Sequence, residues 1–160
     1  MRKYALCLIL VAIPVLLRAQ ADAEELFRWA YERLTERQYR NAWLYFERFI
    51  RAYPDHPLLP EAYYYQAEAA LGMGYHEQAL RLYEAFVERF PGHPFAAEAL
   101  LFLGRRAFAE GNYALALLYW NQIPERAVGA SLQAQVLFWV GEAQRHLKQL
   151  GEAEATYQKI

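Results

Sequence analysis

YPDHPLLPEAYY at residues 53–64 and FPGHPFAAEALL at residues 90–101 are one phrase written twice, 37 positions apart. Pro54 falls on Pro91, His56 on His93, Pro57 on Pro94 and Glu61 on Glu98. Histidines framed by prolines admit two readings: ligands of a metal, or two copies of one structural joint. The rest of the chain selects the joint. The same shift lines up Ala30, Ala67, Gly104 and Gly141, then Ala42, Ala79, Ala116 and Ala153. It also lines up Phe46, Tyr83, Trp120 and Tyr157, then Phe49, Phe86, Ile123 and Ile160. Columns that keep their size class over four copies, at a period of a few tens of residues, mark stacked supersecondary units.

Each copy carries a helical pattern. Leu26, Trp29, Ala30 and Leu34, then Tyr39, Ala42, Phe46 and Phe49, recur at spacings of three and four, which puts each set on one helix face. The spacing predicts helix pairs at 22–36 with 39–53, 58–72 with 76–89, 95–110 with 112–123, and 131–147 with 150–160. Asp22 followed by Glu25 reads as a capping box opening the first helix. Alanine or glycine in the small columns lets neighbouring helices approach, and the aromatic columns fill the space beside them. Pro57 and Pro94 suit the first position of a helix, which puts His56 and His93 at N-caps.

These features resemble tetratricopeptide repeats. Each pair has a small residue midway in its first helix and alanine then an aromatic in its second, and the first three end in a proline, with Gly74-Tyr75 and Gly111-Asn112 at hairpin turns. The resemblance covers residues 22–160 and implies an all-α helix-turn-helix solenoid, a right-handed superhelix of about four 37-residue repeats at 22–57, 58–94, 95–130 and 131–160. The family's usual period is about 34, so each unit here adds three residues, assigned to the proline joint. Extended repeats with such a joint are similar to two bacterial envelope groups. One is the repeat lipoprotein of the outer-membrane β-barrel assembly machinery, the other the periplasmic cell-division coordinator of the Tol-Pal system. Both groups act through protein contacts, so the resemblance implies a scaffold. The joint NQIPERAVGAS at 121–131 departs from the pattern, as does the late Gly151 of the last turn.

Residues 1–21 read as a secretory signal peptide. Arg2 and Lys3 precede an apolar run at 4–17 interrupted by Pro14, and Ala19-Gln20-Ala21 offers a cleavage site. The run falls short of the roughly 20 apolar residues a membrane span needs. The one cysteine, Cys7, lies near the start of that run, whereas a lipid-bearing cysteine follows it, so no lipid anchor is expected. Cleavage after Ala21 removes three of the 17 basic residues and none of the 18 acidic ones. The product is a periplasmic, mildly acidic chain without cysteine, which excludes disulfides, thiolate catalysis and thiolate metal sites. A near-neutral net charge of −1 gives nucleic acid no footprint.

No motif for catalysis is present: there is no G-x-S-x-G, H-E-x-x-H, phosphate-cradling glycine loop or cysteine pair. Glu24, Glu25, Glu32, Glu36 and Glu47 alternate with arginines at helical spacing, as on a solvated face. No catalytic residue, cofactor or metal is expected, and equivalent histidines on successive repeats stand too far apart to share an ion. In the resembled family the first helix of each pair lines a concave groove. That implies a peptide-binding set of Phe27 and Tyr31, Tyr64 and Glu68, Leu101 and Arg105, and Phe138 and Glu142, with Glu24, Glu61 and Glu98 at the rim. These acids disfavour an acidic tail and suit a basic or aromatic segment. The competing reading is that the aromatics fill contacts between repeats. Ile160 stands in a core column, so the chain is also expected either to continue into a longer envelope protein or enzyme, or to self-associate through its last repeat.

Overall fold

A computed structural model describes residues 20–124 and 129–160, which form eight helices and no strand. They are α1 (20–35), α2 (Tyr39–Ala52), α3 (Leu59–Gly72), α4 (His76–Arg89), α5 (Ala96–Ala109), α6 (Tyr113–Trp120), α7 (Ala130–His146) and α8 (Leu150–Tyr157). The expected pairs are present, within a few residues at each end. Of the signal-peptide reading, residues 1–21, positions 1–19 lie outside the described residues, as do positions 125–128 of the third joint.

All four hairpin turns are built alike. The N–H of Gln38 bonds to the carbonyl of Arg33, Tyr75 to Ala70, Asn112 to Ala107, and Gln149 to Gln144, each reaching back five residues. This is a Schellman closure, which needs one residue in the left-handed region. Gly74 and Gly111 supply it at φ 77° and 79°, and Arg37 and Lys148 supply it at 60° and 63°. Each next helix opens when Ala42, Ala79, Ala116 or Ala153 donates to the carbonyl four residues back. Asn112 adds a cap, its Oδ1 accepting from Leu115 N–H at 3.2 Å.

The proline joints differ from expectation. α3 begins at Leu59 with Leu58 as its N-cap, and α5 begins at Ala96 after Phe95. A turn therefore separates each histidine from the helix. The imidazoles still satisfy a loose donor: His56 Nδ1 accepts from Leu58 N–H at 3.2 Å, and His93 Nδ1 from Phe95 N–H at 3.3 Å. His56 meets Phe49 edge-on at 5.3 Å and His93 meets Phe86 at 5.6 Å. The histidines thus brace the joints one turn earlier than an N-cap would.

Other corrections are local. Helix already includes Gln20 and Ala21, both good helix formers, so Asp22 and Glu25 lie inside α1 and form no capping box at its start. α6 stops at Trp120, after which Asn121 still has helical geometry and Gln122 and Ile123 close tighter turns by bonding three residues back. α8 ends at Tyr157 in the same manner, and Ile160 is 60% exposed where Phe49, Phe86 and Ile123 are buried.

The chain forms two compact units, residues up to Leu82 and from Tyr83 onward. In the first, Ala23, Leu26 and Ala30 of α1 meet Ala42, Phe46 and Phe49 of α2 and Ala62 and Ala69 of α3. Burial of a phenylalanine contributes about 1.5–3 kcal/mol, so Phe46 and Phe49 supply much of this core. Tyr39 opens α2 and lies on Gly72 at the end of α3, where a β-carbon would overlap its ring. In the second unit, Leu100, Leu101 and Ala107 of α5 pack with Ala116 and Trp120 of α6 and Val136, Val140 and Ala143 of α7. Tyr113 repeats the role of Tyr39 there, stacking on His146 of α7 at 4.3 Å.

Candidate functional site

The expected peptide-binding residues all lie on the first helix of a pair, and packing divides them into those still facing solvent and those consumed by the fold. In the first unit Phe27 is half-buried, edge-on to Phe46 at 5.6 Å and to Phe49 at 5.5 Å, and so belongs to the core. Tyr31, one turn later, remains 42% exposed. Its ring meets Tyr65 at 5.0 Å, and Tyr64 meets Tyr65 at 5.6 Å. The three phenols form one patch across α1 and α3. Glu68 stands one turn beyond Tyr64 and Tyr65 and is half-buried. Burial first, then the charge of Tyr31 and a hydrogen bond shared with it, and then Glu61 and Glu68, push the Tyr65 hydroxyl up to about 12.

In the second unit Leu101 is corrected. It is 8% exposed, inside the core cluster, and its carbonyl accepts from the Trp120 indole N–H at 3.3 Å. Glu142 is half-buried and engaged at both oxygens, taking a hydrogen bond from Tyr157 at 2.6 Å and one from Arg145 at 2.8 Å. These bonds, Arg145 first, hold its carboxyl below the usual range. Its work is to tie α7 to α8. Arg105 and Phe138 remain outward: the Arg105 guanidinium lies 5.4 Å over the Trp139 ring, and Phe138, 46% exposed, meets that ring edge-on at 5.4 Å. A cation held against an aromatic face beside an exposed phenylalanine presents a flat, half-apolar surface.

Tyr65 and Trp139 are the residues that sequence reasoning left out of the set. Each adjoins a chosen residue, and their signal was adjacency: in Tyr63-Tyr64-Tyr65 and Phe138-Trp139 more rings stand together than one helix face can bury. In the small columns Ala30, Ala42, Ala67, Ala79 and Ala116 are fully buried, and Gly104, Gly141 and Ala153 are buried.

Many carboxylates elsewhere sit in exposed pairs along one helix: Arg28 with Glu25 and Glu32, Arg33 with Glu36, and Arg51 with Glu47. Such pairs solvate a face and contribute little to stability. Among the described residues no group of three or more His, Cys, Asp or Glu side chains is arranged to hold a metal. No described helix is long and apolar enough to cross a membrane.

Residues 19–155 match the model of the YfiO family, described as outer membrane lipoproteins. No protein of curated function matches the sequence. Among solved structures, MamA from Desulfovibrio magneticus RS-1 is similar at 20% identity and a TM-score of 0.65, over 86% of this chain and 72% of that one. A Podospora anserina structure titled a putative kinesin light chain with nearly identical TPR-like repeats follows, at 17% identity and 0.61 over 86% and 72%. A thermophilic TPR protein of Thermus thermophilus matches at 25% identity and 0.52, over 84% and 70%. These likenesses establish an all-α repeat solenoid of the tetratricopeptide type.

Proposed function

We propose, from the premise that this chain belongs to the YfiO family of outer membrane lipoproteins, that it is an exported scaffold which holds segments of other envelope proteins. The observation that carries this reading is a pair of aromatic clusters that reach the surface, exposed Tyr31 beside half-buried Tyr64 and Tyr65 on the first unit, and exposed Phe138 and Arg105 beside half-buried Trp139 on the second. A folded surface of rigid rings orders little when an extended segment docks, so little of the contact energy is lost to entropy. Glu61 and Glu68 bias the first patch toward basic or aromatic segments. The role is binding without bond-making chemistry, in the periplasm or on the periplasmic face of the outer membrane, and it serves to position other outer-membrane proteins.

Placing a photo-cross-linking residue at Tyr64, at Phe138 and at the exposed Arg81 in living cells tests it. Envelope proteins captured at the first two positions and not at the third are the expected outcome. Equal capture at all three, or none at Tyr64 and Phe138, removes the patches as binding faces. Circular dichroism of each variant separates lost binding from lost fold.

A further inference from the structure

Apart from these patches, the first unit carries a cleft of about 260 Å³ between α2, the turn after α3 and the start of α4. Arg40, Trp43, Leu44, Met73, Tyr75 and Gln78 line it. The repeats supply an internal control for this place. Position 75 directly precedes a second helix, and its counterparts are Gln38, Asn112 and Gln149, all polar, with Asn112 capping its helix. A tyrosine there forgoes the cap that Asn112 makes and that Gln38 and Gln149 do not, and Tyr75 is 57% exposed, so the fold gains little from its ring. Met73 likewise stands where Glu36 and Glu110 stand in two other repeats. Leu44 at the rim is 48% exposed, although Leu118 keeps that place apolar in the third repeat. Local rules broken at a surface without structural return mark function.

Two polar groups say what would fit. The indole N–H of Trp43 is shut off from solvent with no acceptor among the described residues, and buried donors are rarely left so. Arg40 enters no ion pair among the described residues. The cleft is smaller than the roughly 300–1,000 Å³ of small-molecule sites, which suits one side chain and its adjoining peptide group.

We propose that this cleft is a second docking site, taking an aliphatic side chain of a partner protein that has an acidic residue beside it. The aliphatic group lies among Leu44, Met73 and Tyr75, and Arg40 takes the carboxylate. A backbone carbonyl of the segment accepts from Trp43 after the side-chain adjustment that is common at interfaces. The preference is opposite to that of the first-helix patches, and the site stands independently of them.

Two capped hexapeptides, one alternating leucine with aspartate and one alternating leucine with lysine, are titrated into the isotope-labelled chain. The Trp43 indole N–H resonance, identified by its loss in Trp43→Phe, is the readout. The aspartate peptide is expected to move it saturably, with the lysine peptide about tenfold weaker. Tyr75→Asn should weaken binding by about fivefold or more with no fall in melting temperature, Arg40→Gln should equalise the two peptides, and Tyr64→Ala should change nothing. No movement with either peptide, equal movement with both, or full binding by Tyr75→Asn overturns the proposal. So does a concentration-dependent mass in sedimentation that Tyr75→Asn abolishes, which would make a second copy the occupant.

Discussion

A β-carbon added to Gly104 would overlap the Trp120 indole, and one added to Gly141 would overlap the Tyr157 ring. Where the partnered ring is the smaller Phe46, the small column carries Ala30 instead. Gly104→Ala sets two effects against each other: alanine gains up to about 1 kcal/mol of helix propensity, while overpacking costs about 1–3 kcal/mol. The collision also disturbs the hydrogen bond from Trp120 to Leu101, so a net loss is expected in denaturant unfolding. Trp120→Phe in the same chain should recover part of it, and a stabilised Gly104→Ala would show that the indole can step aside. Tyrosines give a second residue-level expectation. Burial and then a hydrogen bond donated to Glu84 at 2.8 Å push Tyr119 up to about 12, as burial and neighbours do Tyr65. A raised folded value means that the stability these groups contribute is complete below the usual pH of about 10 and is lost as pH rises through about 12. Tyrosinate absorbance should show two late titrations, and Tyr119→Phe should lessen the alkaline fall in melting temperature.

At the scale of the element, all four hairpin turns were legible in the helical spacing, two of them marked by glycine, but the sequence did not show that Arg37 and Lys148 hold the same left-handed backbone in the other two. That conformation costs a residue with a β-carbon about 1–2 kcal/mol, and glycine returns about 0.5–1 kcal/mol of that as chain entropy. Arg37→Gly and Lys148→Gly should therefore each stabilise the chain by up to about 1 kcal/mol, read by chemical denaturation, and destabilisation would mean that these side chains hold more than their turns. The joints were legible as joints, but their histidines act one turn before the helix, since spacing alone cannot reveal a ring nitrogen that mimics a capping oxygen. His56→Ala should lose about 0.5–2 kcal/mol, the range of a lost cap, while His56→Asn, which keeps an acceptor near Leu58 N–H, should lose less. Binding residues were harder to place than helices. Leu101 and Arg105 lie a turn apart on one helix, and only the packing of Trp120, nineteen residues beyond Leu101, draws one inward while the other stays out.

At the scale of the whole molecule, the period was legible because stacking makes the same size demand on each repeat, and four answers to one demand stand out from a single sequence. Attachment to the envelope is not written in that repeat, and here family and residues pull apart. The family is one of outer membrane lipoproteins, yet a thioether-linked lipid needs a cysteine sulfur, and Cys7 lies at the start of the apolar run. An exported product cleaved after Ala21 would hold no sulfur for such a lipid, and its contact with the membrane would pass through the proteins it binds. The intact mass of the native product, recovered from the cell envelope, decides between the two. A product that starts at Asp22 and carries no lipid adduct is the expected outcome, and salt or urea should then strip it from membranes. A lipid adduct on Cys7 would reverse the argument, because the chain would be held by its own leader and its aromatic patches would be presented at a fixed height above the bilayer.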